Sequence, residues 1–369
     1  MTQRLFIGLM SGTSLDGVDA VLADLATGVQ VLAHVHRPFA PALRAELLAL
    51  NQAGDNELHR GALAGNAVAR AYADTVSALL QASGTPAAKV IALGAHGQTV
   101  RHRPGEFDGT GYTAQLLNGA LLAELSGIDV VADLRSRDVA AGGQGAPLVP
   151  AFHAAVFGQP GLAQAVLNLG GIGNLTLLGA DGQVGGFDCG PGNALMDGWC
   201  LQHTGAEFDA DGAWARGGQV DATLLHTLLA EPYLQRPPPK STGRDLFNSA
   251  WLADRLGTFA RQPQDVMATL TEFTARSASD ALRLHQPAAR RLLVCGGGAL
   301  NGWLMQRLAA LLPGVPVAST ASAGLPPLQV EAAAFAWLAQ AFVDRLPGNR
   351  PEVTGAAGLR VLGALHPAR

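Results

Sequence analysis

Four glycine-rich turns set the tightest limit on how this chain can fold. They are Ser11-Gly12-Thr13-Ser14-Leu15-Asp16-Gly17, residues 169–174, residues 188–193 and residues 296–301. Each adjoins a short apolar run of strand type. Glycine supplies 46 of the 369 residues, roughly 12% where about 7% is usual. Proline, at 21, is ordinary, and no Gly-X-Y period exists, which excludes collagen and low-complexity linkers. The glycines mark places where backbone turns sharply or lies close to something else. One such turn alone is a tight hairpin. Runs of amides exposed by glycine also make anion-binding nests, to which the Thr13 and Ser14 hydroxyls add donors. Four of them spread over both halves fit phosphate gripped from both sides of a cleft.

The rest of the chain alternates strands and helices. Strands are expected over 5–9 and 18–25, helices over 43–51 and 58–81 with a stop at Ser83-Gly84, and a strand over 89–93 that runs into Gly94-Ala95-His96-Gly97. A helix over 115–126 and a strand over 129–132 follow. After a glycine-rich passage at 140–150, strands at 165–169 and 175–178 open a second unit like the first. Helices then fall at 221–229, 245–259 and 265–284, a strand at 291–295 enters Gly296-Gly297-Gly298 and a helix to Leu312, and a long apolar helix spans 330–346. The tail after Pro347 reads as capping or disorder. The length suits two domains, and the echo between halves suggests a duplicated α/β architecture with a cleft, a preferred small-molecule site.

Charge and motifs remove several functions. A net charge of −4, with no basic run, leaves no field for nucleic acid. No stretch nears 18 consecutive apolar residues, and the run from Leu5 to Met10 is too short for a signal peptide, so neither a membrane span nor export is expected. Cys189, Cys200 and Cys295 share no metal-ligand spacing and fit buried thiols in the cytoplasm. There is no Walker motif, Gly109-x-Gly111-x-x-Ala114 follows no strand, and Gly12-Thr13-Ser14-Leu15-Asp16 lacks the final glycine of a nucleophile elbow.

The candidate residues each have two readings. Gly296–Asn301 is either close helix–strand packing or an approach to a base and ribose, with a helix N-terminus for phosphate. Asp188, at a strand end, is a turn cap or a general base. Gly94–Thr99 and Asp133–Asp138 leave strand C-termini, where α/β folds place ligands, though solvated loops would look the same. His34-x-His36 reads as the outward face of an edge strand. Lys240-Ser241-Thr242-Gly243-Arg244 reads as a helix start.

Taken together, the residues resemble a known family. Gly8-Leu9-Met10-Ser11-Gly12-Thr13-Ser14-Leu15-Asp16-Gly17-Val18-Asp19 is similar to the N-terminal signature of the anhydro-N-acetylmuramic acid kinases. Segments 94–99, 132–147, 167–174, 187–197, 238–247, 294–301 and 330–338 fit the same family in order, so the resemblance covers essentially the whole chain. It implies a two-domain fold of the actin, Hsp70 and hexokinase type, a duplicated ribonuclease H-like unit with ATP in the interdomain cleft. The implied domains are 1–133, with 340–369 packing back on it, and 134–339. The implied activity is ATP-dependent conversion of 1,6-anhydro-N-acetylmuramic acid to N-acetylmuramic acid 6-phosphate in cell-wall recycling, by a cytoplasmic homodimer using magnesium.

On the same resemblance, ATP is held by Ser11, Gly12, Thr13, Ser14, Leu15, Asp16, Gly17, Val18 and Asp19, by Gly171, Gly173, Asn174, Gly190, Gly192 and Asn193, and by Gly296, Gly297, Gly298 and Asn301. Asp188 is the base, and His96, Thr99, Arg135 and Glu331 bind the sugar. Met10 stands where the wider superfamily carries an Asp, so Asp16 and Asp19 are the candidates for magnesium. Leu328 stands where an Asp would be expected, though Glu331 is present. The alternatives are a conventional sugar kinase acting on a free hydroxyl and an actin-type or Hsp70-type ATPase indifferent to sugar.

Overall fold

The computed structural model describes residues 2–12, 14–243, 246–258 and 261–368. Thr13, Arg244 and both ends of the helix expected over 245–259 lie outside them. In chain order the elements begin with β1 (Leu5–Met10), β2 (Gly17–Asp24), β3 (Gln30–Pro38), α1 (Pro41–Ala49), α2 (Glu57–Ser83), β4 (Val90–Ala95), β5 (Gln98–Pro104) and β6 (Gly111–Leu116). Next come α3 (Gly119–Ser126), β7 (Val130–Ala132), α4 (Ser136–Val139) and α5 (Val149–Phe157). The middle of the chain forms β8 (Gln164–Leu169), β9 (Ile172–Leu178), β10 (Val184–Pro191), α6 (Ala194–Thr204), α7 (Ala213–Arg216), α8 (Ala222–Leu229) and α9 (Ser249–Leu256). It continues with α10 (Pro263–His285), β11 (Leu292–Cys295), α11 (Gly302–Leu311) and β12 (Val317–Ser319), and the end forms α12 (Val330–Val343), α13 (Pro351–Thr354) and β13 (Ala364–His366).

The chain divides into two compact units, Met1–Val156 with Gln329–Arg369, and Phe157–Leu328. In the first, the sheet order is β13-β7-β4-β1-β2-β3; in the second it is β10-β9-β8-β11-β12. Each sheet opens with three successive antiparallel strands. Each then adds two strands parallel to the first of those three, reached by helical crossovers. The same strand order built twice is the duplicated ribonuclease H-like arrangement of the actin type.

Period-2 alternation along β1 decides what each face of the first sheet meets. Leu5, Ile7 and Leu9 point into a core with Val68, Tyr72, Val76 and Leu79, the apolar stripe of α2. Phe6 points the other way, into a core with Phe335 and Ala336 of α12. Gly8 sits on that second face, opposite Gly94 of β4 in the parallel register. A Cβ on Gly8 would stand 1.8 Å from the Ala332 carbonyl oxygen, and one on Gly94 would stand 1.9 Å from that of Phe335. The two glycines therefore let α12 lie with its backbone directly on the sheet.

Local chemistry sets several boundaries. Helix α2 ends where Gly84 takes φ +64. Residues 115 and 116 finish strand β6 instead of starting a helix, because the Asn118 side chain accepts from Leu121 N and begins α3 at Gly119. Helix α12 stops at Val343, short of the expected 346, as Arg345 takes φ +58. The tail is ordered: β13 pairs with β7, and Asn349 and Thr354 donate to Asp138, which is completely buried and also accepts from Gly145 N. In the second unit the core gathers Leu167, Leu175 and Phe187 of the sheet with Met267, Leu270 and Phe273 of α10.

The stacked glycines generate a contrast. Gly8→Ala or Gly94→Ala must push α12 off the sheet, and urea unfolding should show a loss of roughly 2–3 kcal/mol or more. Gly198→Ala, on α6 with nothing within 4 Å of its Cβ position, should raise stability by about 0.5–1 kcal/mol. Equal effects at the three positions would remove the backbone contact as the reason for the glycines.

Candidate active site

In the first unit, the loops leaving the C-terminal ends of parallel strands β1, β4 and β7 meet around Ser11. Ser11 is buried, and its hydroxyl bonds Tyr72 Oη at 2.8 Å and donates to the Gly97 carbonyl at 3.1 Å. Gln98 Nε2 donates to the Gly12 carbonyl at 3.0 Å. The start of the loop is thereby pinned, while a Cβ at Gly12 would meet nothing nearer than the Ser14 hydroxyl at 3.7 Å. Leu15 and Val18 are core residues, so only their backbone can face a ligand. Gly17 is glycine because β3 crosses it, with the Arg37 carbonyl 2.2 Å from its Cβ position.

The carboxylates of this hairpin are already engaged. Ser14 Oγ donates to Asp16 at 2.8 Å. Asp19, expected to face magnesium, lies 2.9 Å from His34 Nε2 and 3.3 Å from His36 Nδ1. The His34-x-His36 pair does sit on an edge strand, as expected for β3, but both rings turn toward Asp19. Among the described residues no cluster of three His, Cys, Asp or Glu is arranged to hold a metal ion.

His96 and Arg135 form one assembly. Arg135 donates to His96 Nε2 from both Nε and Nη2, at 3.3 and 3.0 Å, and donates from Nη1 to the Gly145 carbonyl at 2.7 Å. Because arginine stays protonated, His96 Nε2 must be the bare acceptor. The proton then sits on Nδ1, which donates to the Ser11 carbonyl at 3.1 Å. Burial, aided by the Arg135 charge, pushes the His96 pKa down to about 3, and Phe335 of α12 packs on the ring at 4.9 Å. His96 is a neutral link that orients Arg135.

Thr99, on the β5–β6 hairpin, accepts from Gln115 Nε2 at 3.1 Å. The same amide nitrogen donates to Thr113, which also bonds His102 Nδ1. Burial first, then the Arg135 charge, lowers His102 to about 4. Glu331 is half-buried in the first turn of α12.

In the second unit, three of the glycine turns converge on residues 168–171. Gly192 N and Ala194 N donate to the Gly171 carbonyl, Asn193 N donates to Gly170, and Asn193 Nδ2 donates to Leu169. A Cβ on Gly192 would lie 2.3 Å from the Gly170 oxygen, and one on Gly298 would lie 2.5 Å from Leu169 Cβ. Gly296, at φ +78, passes equally close to Asn168 and Leu169. Gly297, beside Asn193, has more room. Asn301 spends its side-chain oxygen as the cap of α11, accepting from Leu304 N at 3.0 Å.

Asp188 is held along its whole length. Its N donates to the Lys240 carbonyl at 3.3 Å, its carbonyl accepts from Tyr233 Oη at 2.8 Å, and its Oδ2 accepts from Thr242 N at 2.9 Å. The strand register places Asn168, Asn174 and Asp188 in one row across β8, β9 and β10. Of these, Asn168 and Asn174 each carry a buried amide oxygen with no hydrogen-bond partner among the described residues. Strand alternation turns Phe187 and Cys189 to the core and leaves Asp188 on the opposite face; a β-bulge follows at Cys189, next to Gly190 at φ +143. The sequence carries no signal for Tyr72 or Tyr233, whose roles depend on residues far away in the chain, and it marks Gln98 only as part of the polar loop 94–99.

The profile of the anhydro-N-acetylmuramic acid kinase family matches residues 4–368. A relative described as anhydro-N-acetylmuramic acid kinase in Variovorax paradoxus (strain S110) is 63% identical over 376 residues, covering 100% of both chains. Relatives of the same description in Bordetella petrii and Albidiferax ferrireducens are 62% and 58% identical, covering 99% of this chain and 97% and 99% of theirs.

Of the four histidines held below their usual pKa, His96 and His102 at this site predict an acid sensitivity. Both stay neutral in the fold down to about pH 4 and about pH 3, whereas the unfolded chain protonates them near pH 6.5. Their contribution to stability is complete above about pH 6.5 and is lost on acidification toward those values, at up to about 1.4 kcal/mol per pH unit for each. Urea midpoints measured between pH 7.5 and 5 should fall, and less so in His96→Gln/His102→Gln. An equal fall in that variant would contradict the assignment.

Proposed function

Because the chain belongs to the anhydro-N-acetylmuramic acid kinase family, we propose that Asp188 is the base on which its reaction depends. The chain is an ATP-dependent kinase that opens 1,6-anhydro-N-acetylmuramic acid with water and phosphorylates the 6-oxygen. The products are N-acetylmuramic acid 6-phosphate and ADP, and the reaction serves cell-wall recycling. The substrate is bicyclic, its 6-oxygen tied to the anomeric carbon, so no free hydroxyl awaits phosphate. Water attacks the anomeric carbon and loses one proton to Asp188. The bond from that carbon to the 6-oxygen breaks, and the 6-oxygen takes the γ-phosphoryl group as ADP leaves. This is inverting glycoside hydrolysis in which phosphoryl transfer replaces protonation of the leaving oxygen.

The observation that carries the assignment is the threefold grip on Asp188 by segment 233–242. A base must be aimed at its proton, and Thr242 N fixes one carboxylate oxygen. On the sugar side, Arg135 suits the lactyl carboxylate, because its planar fork matches a carboxylate. His96 aligns Arg135, and Thr99 and Glu331 serve the remaining polar groups. For ATP, the pinned loop from Ser11 offers backbone amides, and Gly171, Gly173, Asn174, Gly190, Gly192, Asn193 and Gly296–Gly298 form the second set. Asn301 acts by shaping the start of α11.

Magnesium fits as an ion held chiefly by ATP phosphates, since magnesium commonly takes only one or two protein carboxylates. Asp16 is the residue that would hold it, with Asp19 set back by its two histidines. When bound it would neutralise charge on the transferring phosphoryl group. We assign the protein to the cytoplasm, where ATP is supplied, as a homodimer, for which sedimentation should give twice the 37.9 kDa chain mass.

Two substitutions separate the roles. Asp188→Asn should lower kcat by roughly 10²–10⁴-fold with ATP binding by calorimetry preserved; wild-type turnover would exclude Asp188 as the base. Gly12→Val has room in the fold, so its melting temperature should hold while the KM for ATP rises about tenfold as the side chain crowds the phosphate. An unchanged KM would remove this loop from ATP binding.

A further inference from the structure

Lys240 lies on the segment that grips Asp188. Its ammonium donates to the Leu234 carbonyl at 2.9 Å and to the Tyr233 carbonyl at 3.4 Å. It also stands 5.5 Å from the centroid of Phe187 and 5.1 Å from that of Tyr233. Both ring residues matter to Asp188: Phe187 precedes it on β10, and Tyr233 donates its hydroxyl to the Asp188 carbonyl. The Lys240 backbone carbonyl accepts from Asp188 N, and two residues on, Thr242 N reaches the carboxylate. One cation thus ties the turn at 233–234 to the extended segment 240–242, with Asp188 between them.

We propose that Lys240 is a positioning residue for the reaction: its ammonium clamps segment 233–242 on β10 so that Thr242 N orients the Asp188 carboxylate, and its charge favours the ionised carboxylate. This rests on Asp188 being the base. An ammonium is costly to desolvate, and burial holds the Lys240 pKa below its usual value. A loop that needed only a spacer would be served by an apolar side chain at less cost. The groups facing Lys240 are Asp188 and Cys189 on β10, Tyr233 and Arg236 on the segment itself, and His285 at the end of α10. Of these only Asp188 is a carboxylate.

The test uses the full-length enzyme with ATP, magnesium and the anhydro sugar. Lys240→Met keeps the length and the ring contacts but removes the charge and both donated hydrogen bonds. It should lower kcat tenfold or more with the KM for ATP within about twofold. The acid limb of its kcat–pH profile should move up by about one pH unit, because the carboxylate loses a neighbouring cation. Lys240→Arg, which keeps the charge, should return that limb to its wild-type position. A Lys240→Met enzyme with wild-type kcat and acid limb overturns the proposal, as does an equal kcat loss in both variants with the limb unmoved. Should Lys240→Met fail to fold, Lys240→Arg together with Tyr233→Phe decides. Tyr233→Phe, with the lysine in place, must leave the acid limb at its wild-type position while lowering kcat, and a moved limb counts against the lysine. Asp188→Asn run in parallel separates the two claims: an active Asp188→Asn enzyme removes the base itself, whereas an inactive one beside an unaffected Lys240→Met enzyme removes only the role of Lys240.

Discussion

A helix laid backbone-to-backbone on a sheet tolerates no side chain at the point of contact, and the first unit is organised around such a contact. Gly8 and Gly94 face each other on adjacent parallel strands and give way together to the carbonyls of Ala332 and Phe335. The close seat fixes how far α12 advances along the sheet. That in turn places Phe335 on the His96 ring and Glu331 in the first turn beyond it. His96, held between Ser11 and Arg135, passes the same alignment to the loop after β1 and to the guanidinium. One steric constraint therefore sets the spacing of several side chains at the candidate site. The second unit reaches a similar end differently: its glycines let three turns crowd onto residues 168–171, and the hydrogen bonds of Asn193 lock them.

Much of this was legible in the sequence because the governing signals are local. Glycine turns beside apolar runs marked β1–β2, β8–β9 and the entry to α11, and the echo between halves anticipated the shared strand order. Asp188 stood out beside Gly190 and Gly192, although it lies within β10 and not at the strand end expected for it. What escaped were features made by distant residues. Gly8 read only as part of the first strand and of the family signature until the register set it opposite Gly94. Asp138 read as part of a charged loop, yet it is buried because Asn349 and Thr354, more than two hundred positions later, supply its donors. His34 and His36 looked outward on an edge strand, but the pairing of β2 with β3 put Asp19 beside them. Short strands such as β12 and β13 carry too few residues to show a period.

The charge states complement one another. In the first unit burial strips the proton from His96 and leaves Arg135 with a fixed positive charge and a fixed direction, suited to holding an anionic sugar. In the second unit a carboxylate on the sheet face is aligned by a backbone amide and lies near a partly desolvated lysine. Proton transfer is left to the single step in which water becomes the anomeric hydroxyl.

That step can be followed directly. Turnover of 1,6-anhydro-N-acetylmuramic acid with ATP and magnesium in oxygen-18 water, followed by mass spectrometry, reports where the attacking oxygen ends. The expected product is N-acetylmuramic acid 6-phosphate with one labelled oxygen on its anomeric carbon and an unlabelled phosphoryl group, formed with one ADP for each ring opened. Labelled inorganic phosphate with an intact sugar, or phosphorylation of free sugars only, would contradict this mechanism.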